Sequence, residues 1–309
     1  MPKDFVSIGD WPRAELAALL ARAAELKQLQ RKGERPRSLL GRTLAMYFEH
    51  PSLRTHVTFE AGMAQLGGHA IFLTGDQVGI GRRESAPDVA RNLSRWVDAI
   101  VARTARHELV ESLAAEASIP VINALTDRFH PCQAMADMQT MSERGALDGA
   151  HLAFVGDGNN VSNSLALAAA VLGFRFFLAT PPTHRPPEDV WNRALALADA
   201  SGAQLDWTED PAEAVAGANF VYTDVWASMG QEDEAAARRK VFAPYQVNAE
   251  LLRGAPEAWV MHDLPAHRGE EITDDVLDGP RSIVLDQAEN RLHAQKAILE
   301  RLIGPGNAK

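Results

Sequence analysis

Residues 47–56 read Tyr47-Phe48-Glu49-His50-Pro51-Ser52-Leu53-Arg54-Thr55-His56. The apolar run from Thr43 to Phe48 suits a short buried strand, and His50-Pro51 ends it. Ser52 then stands at the N-cap position of a helix. Val57, Phe59, Met63 and Leu66 recur at helical spacing, and Gly67-Gly68 stops the run. A strand, a tight turn and a helix start put Ser52, Arg54 and Thr55 around unpaired backbone N–H groups. That is an anion site in outline, and the forked guanidinium of Arg54 suits a phosphate. The same ten residues also fit an ordinary capped helix with an exposed arginine.

Outward from this unit the pattern repeats. Asp10 is expected to cap a first helix with Pro12 in its first turn, Leu16, Leu20, Ala23 and Leu26 on its buried face, and Gly33 at its end. A second strand spans 69–73, and the glycine-rich segment 74–83 reads as a mobile loop. A helix capped by Ser85 runs to about Trp96. It is followed by a strand at 99–102, a helix at 108–117, a strand at 120–124 and a helix from Pro131 to about Arg144. The second half has strands at 151–155, 175–179, 204–207, 220–223, 259–262 and 282–285, with helices between them and a closing helix at 287–303. Glu232 to Lys240 carries both signs densely and reads as a solvated face. Strands alternating with helices imply an α/β fold of two doubly wound parallel-sheet domains. The domain boundary is expected near 146–149, giving domains of 1–147 and 148–286, with the last helix crossing back to the first.

The 309-residue chain is 46% hydrophobic and 23% charged, which describes a globular protein. A net charge of −10 argues against a nucleic-acid or anionic-membrane partner. A single cysteine, Cys132, excludes an internal disulfide and fits a reducing cytoplasm. The N-terminus shows no apolar signal segment, and no run reaches membrane-spanning length.

Several clusters fall at strand ends, where α/β sheets bind ligands. Gly156-Asp157-Gly158 invites a dinucleotide, but Val161 occupies the place of the third glycine, so none is expected. His262, Asp263 and His267 have metal-ligand chemistry, yet Pro265 breaks their helical spacing, and no metal is expected. Arg103, His130-Pro131-Cys132-Gln133 (with Ala136-Asp137 just beyond) and Asp224 through Gly230 each follow a strand. Each alone fits a capping or surface role. Together they set Arg54, Arg103, His130, Asn160, Asp224 and His262 at strand ends.

In this arrangement the sequence resembles the aspartate/ornithine carbamoyltransferase family. Ser52-Leu53-Arg54-Thr55 is similar to its S-T-R-T motif, and His130-Pro131-Cys132-Gln133 to its H-P-x-Q. Asp224 to Gly230 is similar to the D-x-W-x-S-M-G of the ornithine branch, His262-Asp263-Leu264-Pro265 to H-C-L-P, and Glu289-Asn290-Arg291 to E-N-R. These motifs span the chain in the family's order.

The resemblance implies two α/β domains with the active site in the cleft between them, in a homotrimer or a multiple of trimers. It implies carbamoyl transfer from carbamoyl phosphate to the side-chain amine of L-ornithine, giving L-citrulline and phosphate without a cofactor. The first domain would bind carbamoyl phosphate and the second the amino acid. Ser52, Leu53 (through its N–H), Arg54 and Thr55 would cradle the phosphate. Arg103 and His130 would reach the carbonyl oxygen, and Gln133 the carbamoyl amide. Asn160, Asp224, Ser228 and Met229 would hold the amino-acid end, with Asp263 and Leu264 beside the attacking amine. Arg54, Arg103, His130, Asp263 and Arg291 would be the catalytic set.

Two departures stand out. His56 replaces the arginine that usually follows S-T-R-T, and Asp263 replaces the cysteine of H-C-L-P. Gln77 lies two residues from where some relatives carry a glutamine in the glycine-rich loop. A different amine acceptor, or a ligand-binding paralogue with impaired catalysis, therefore stays open beside the leading reading.

Overall fold

The computed structural model describes residues 2–227 and 232–305. Ser228 and Met229 lie outside the described residues. The chain divides into two compact units, Met1–Gln139 with Glu289–Lys309, and Thr140–Ala288.

The first unit carries α1 (Arg13–Arg31), β1 (Thr43–Phe48), α2 (Leu53–Gln65), β2 (His69–Thr74), α3 (Gly75–Val78), α4 (Ala86–Trp96), β3 (Ala99–Arg103), α5 (His107–Glu116) and β4 (Val121–Leu125). Its sheet has the order β2-β1-β3-β4, with every pair parallel. Leu44 to Phe48 of β1 are all buried, as a strand covered by helices on both faces requires. The register sets Phe48 opposite Thr74 on one side and Arg103 on the other, so β1, β2 and β3 end at one edge. Glu49 continues that edge by donating its N–H to the Arg103 carbonyl at 2.9 Å. The helix that follows, α6 (Pro131–Ser142), leads into the second unit.

The second unit carries β5 (His151–Val155), α7 (Asn160–Leu172), β6 (Arg175–Ala179), α8 (Glu188–Ser201), β7 (Gln204–Thr208), α9 (Pro211–Val215), β8 (Phe220–Tyr222), α10 (Ala235–Phe242), β9 (Trp259–Met261) and α11 (Asp274–Leu277). Its sheet has the order β7-β6-β5-β8-β9, again parallel throughout. Every residue of α7 is buried, which its run of alanine and leucine permits. The last helix, α12 (Val284–Ile303), returns the chain to the first unit.

Several sequence expectations need correction. Pro12, not Asp10, is the N-cap of α1, and Asp10 sits in a 3-10 turn before it. Leu19 is buried on that helix, whereas Leu20 is only partly so. Val57, expected on the buried face of α2, is 53% exposed. The segment 74–83 contains α3, opened by a reciprocal Thr74–Gln77 capping box. The strand expected at 282–285 does not form: Ser282 makes one bridge to Val260, and Val284 already begins α12. A three-residue apolar run (Ile283 to Leu285) cannot by itself separate strand from buried helix. Within the charged run, Arg238 is buried and pairs with Asp157, also buried, while donating to the Trp226 carbonyl.

Candidate functional site

In the first unit the site is built on the start of α2. Ser52 has extended backbone and its hydroxyl accepts from Thr55 N–H at 3.3 Å, so it is the N-cap that the sequence suggests. The α2 dipole therefore presents its positive end beside Leu53, Arg54 and Thr55. The Leu53 side chain is 75% exposed, which leaves only its backbone N–H for a ligand. Arg54 is half-buried and Thr55 is buried.

Thr55 is where the buried network converges. Its Oγ1 accepts from Arg291 Nη2 at 2.7 Å and, more weakly, from Arg103 Nη1 at 3.4 Å. Arg291 also donates through Nη1 to Gln133 Oε1 at 2.6 Å and approaches His130 Nε2 at 3.4 Å. A guanidinium only donates, so Nε2 is the accepting nitrogen in that contact. Gln133 passes the polarity on by donating Nε2–H to Asp137 Oδ1 at 2.7 Å. Arg103, His130, Gln133, Asp137 and Arg291 are all buried. Two guanidiniums and one relayed carboxylate leave this end of α2 positive, as an anionic ligand needs. Cys132, between His130 and Gln133, is no nucleophile: burial pushes its thiol up to about 12 against the nearby Arg291 charge, and its Sγ donates to the Asn123 carbonyl.

His56 does not extend the cationic set. Its ring stacks on Phe72 at 3.9 Å between centroids, and its Nε2 lies 3.1 Å from Glu60 Oε2 one helical turn on. Gln77 is engaged in its capping box with Thr74.

In the second unit the site gathers at the carboxyl ends of β5, β8 and β9. Asp224 is buried, with Oδ1 accepting from Val225 N–H and Oδ2 from Asn159 Nδ2, both at 2.7 Å. Asn159 is also the N-cap of α7, its Oδ1 accepting from Val161 and Ser162 N–H groups. One amide thus ties the helix start to the carboxylate, while Asn160, the first residue of α7, is buried beside it. The turn before it depends on Gly158, where a Cβ would meet Pro186 N at 2.4 Å and Arg185 C at 2.5 Å.

Asp263 approaches the same carboxylate. Burial raises the Asp224 carboxyl well above its ordinary range, and the charge and hydrogen bond of Asp263 raise it further. The donor atoms of Asp224, His262 and Asp263 lie within 4.8 Å of one another. His262 nonetheless has no lone pair to give a metal, because Nε2 faces Glu271 Oε1 at 3.1 Å and Nδ1 accepts Leu264 N–H at 2.9 Å. Burial would lower the His262 titration. The pull of Asp263 and Glu271 on the ring, with the charge of Asp224, raises it on balance. That direction favours imidazolium, whereas the Leu264 contact needs a lone pair on Nδ1. The contact decides for the Nε2–H form, since two N–H groups facing each other at 2.9 Å would repel. Leu264 itself is half-buried, with φ 60, and precedes a cis Leu264–Pro265 bond.

The structure thus joins Ser52, Thr55, Arg103, His130, Gln133 and Arg291 in one unit, and Asp224 with Asp263 in the other. Asn159, Glu271 and Gln287 join the second cluster unannounced by sequence. Gln287 accepts from His262 N–H at 2.9 Å and donates to Tyr222 Oη at 2.9 Å. Of the three, only Asn159 carried a legible signal, an asparagine at a helix N-cap.

Residues 3–143 match the aspartate/ornithine carbamoyltransferase carbamoyl-P binding domain, and residues 148–302 the Asp/Orn binding domain of the same family. An ornithine carbamoyltransferase of Anoxybacillus flavithermus is 54% identical over 303 residues, 97% of this chain and 96% of that relative. One of Methanoculleus marisnigri is 49% identical over 310 residues, 100% of this chain and 99% of its own. The solved ornithine carbamoyltransferase of Pyrococcus furiosus matches with a TM-score of 0.95 at 49% identity, covering 99% of this chain and 98% of that one. On these grounds the chain belongs to the aspartate/ornithine carbamoyltransferase family.

Proposed function

We propose that this protein transfers the carbamoyl group of carbamoyl phosphate to the side-chain amine of L-ornithine, releasing L-citrulline and phosphate. The observation that carries the proposal is the buried convergence of Arg291 and Arg103 on Thr55 at the start of α2, with Gln133 and His130 bonded to the same Arg291. Relatives named ornithine carbamoyltransferase at about half identity over the whole chain support the choice of reaction.

The chemistry follows from the donors. The α2 N–H groups, Ser52, Arg54 and Thr55 take the phosphate dianion. Arg103 and His130 polarise the carbamoyl oxygen, and Gln133 holds the carbamoyl amide. The amine attacks, a tetrahedral oxyanion forms on the oxygen that these donors face, and phosphate leaves with the electrons of the C–O bond and takes up the proton that the amine gives up. Preorganised donors of this kind supply electrostatic stabilisation, and holding the reactants together contributes about 7–11 kcal/mol. Asn160, Asp224, Ser228 and Met229 take the amino-acid end, with Asp263 and Leu264 at the attacking amine.

The domain roles, residues 1–147 with 287–303 for carbamoyl phosphate and 148–286 for the amino acid, belong to the same proposal. So do a homotrimer, or a multiple of it, and a cytoplasmic location. The exposed Leu53 and Val57 on α2 support an oligomer face, and the single buried cysteine suits a reducing compartment. Among the described residues no helix is long and apolar enough to cross a membrane.

Asp263 beside Asp224 favours one second reading, a different amine carrying more positive charge near its nucleophile. An acceptor screen with carbamoyl phosphate, reading released phosphate and ureido product together, tests both. Ornithine is expected to give the highest kcat/KM. A higher value for another amine would move the acceptor, and no turnover with any amine would sink the reaction.

A further inference from the structure

Glu271 lies between β9 and α11 and is fully buried. A carboxylate removed from water is costly unless hydrogen bonds hold it, and Glu271 Oε1 accepts two. One comes from His262 Nε2 at 3.1 Å, the other from the His267 backbone N–H at 2.5 Å. No step proposed above uses this residue.

Its effect is felt across the His262 ring. An imidazole with one proton offers one donor and one acceptor nitrogen, and a carboxylate can receive only the donor. Glu271 therefore keeps the proton on Nε2. Nδ1 is left with its lone pair, which takes the N–H of Leu264 and fixes the left-handed turn at that residue. The same Nδ1 is only 3.6 Å from Asp263 Oδ1. With its proton on Nδ1, the ring would repel the Leu264 N–H and bond to Asp263 instead.

We infer that Glu271 is a positioning residue for the acceptor: it fixes the His262 proton on Nε2, holds the Leu264 turn, and keeps His262 from drawing the Asp263 carboxylate away from the amine. This rests on the assignment of Asp263 to the acceptor in the reading above. The titratable groups facing His262 are Asp224 after β8, Asp263 beside it, and Glu271 from the following loop.

Nitrogen-15 NMR of the His262 ring at neutral pH tests the inference without any substrate. The expected signature is a protonated Nε2 and a bare Nδ1; an Nδ1–H or an imidazolium overturns it. Glu271→Leu removes the acceptor oxygen, and its expected effect is a rise of about 10- to 100-fold in ornithine KM, the usual scale for losing a charged hydrogen bond. The carbamoyl-phosphate KM should stay within about twofold on the same scale. Glu271→Gln keeps an accepting Oε1 and should restore the ornithine KM and the native pH profile. Equal damage from Gln and Leu, or equal loss of both substrates' KM values, overturns the inference. Should Glu271→Leu fail to fold, the NMR signature and the Gln variant still decide. If ornithine is no substrate at all, the proposed reaction fails and the tautomer measurement still stands.

Discussion

Replacing Arg291 by glutamine should separate catalysis from folding. Arg291 is 2% exposed and makes two short bonds, to Thr55 at 2.7 Å and Gln133 at 2.6 Å, with a long third contact to His130. A bond from a charged donor is worth about 1.5–3 kcal/mol, so the two short ones amount to about 3–6 kcal/mol before relaxation. Removing the buried cation also removes its own desolvation cost, and Arg103 can still serve Thr55. The net loss of folding stability should then be about 1–3 kcal/mol, read from urea melts. The transition state has no such substitute, because Arg291 is bonded to both Gln133 and His130. Loss of one preorganised donor to a developing oxyanion costs about 10²–10³ in kcat, and misaligning His130, which the proposed reaction aims at the oxyanion, together with Gln133 should lower kcat/KM by about that much. Arg291→Lys, a point charge with no fork, cannot reach both Thr55 and Gln133, and should recover only part of that loss. Steady-state citrulline formation at several carbamoyl-phosphate concentrations reads the effect. A folded Arg291→Gln protein within tenfold of native kcat/KM would refute the reasoning.

Arg54→Ala should lower kcat/KM by about three orders of magnitude with an unchanged melting curve, because it removes a forked phosphate contact; near-normal turnover would remove Arg54 from the site. His56→Arg should leave the pH dependence of carbamoyl-phosphate affinity unchanged, since His56 braces the turn through Phe72 and Glu60; a flattened profile would make its charge part of the cradle. Asp263→Cys should move the pH optimum toward neutrality and raise turnover with ornithine. Asp224 titrates high partly because Asp263 faces it, and a cationic acceptor binds best once the pair has lost its proton, so native kcat/KM should rise with pH and the variant should rise earlier. Abolished turnover in that variant would instead make Asp263 the general base. Gly158→Ala should cost about 1–3 kcal/mol of stability by overpacking against the Arg185–Pro186 backbone, and should weaken ornithine more than carbamoyl phosphate.

The sheets were legible because parallel strands buried on both faces are written as continuous apolar runs, as Thr43 to Phe48 and His151 to Val155 show. Ser52 was legible because an N-cap is a local rule. Ser282 to Leu285 misled because its three apolar residues carry no period. Arg238 misled because its neighbours in sequence are charged, while its partners Asp157 and Trp226 are remote in sequence. Glu271 was missed for the same reason: it stands in the charged stretch Arg268-Gly269-Glu270-Glu271, and only the fold brings His262 against it. The roles expected of Thr55 and Gln133 rest on the family motifs. Their physical link, one guanidinium from α12 bonded to both, required coordinates.

The most direct measurement supplies carbamoyl phosphate labelled with carbon-13 at the carbonyl, together with L-ornithine, and follows the label by mass spectrometry and NMR. The account predicts label in the side-chain ureido group of citrulline, with one phosphate released per citrulline formed. Label remaining outside ornithine, in breakdown products or in the ureido group of another amine, would contradict it.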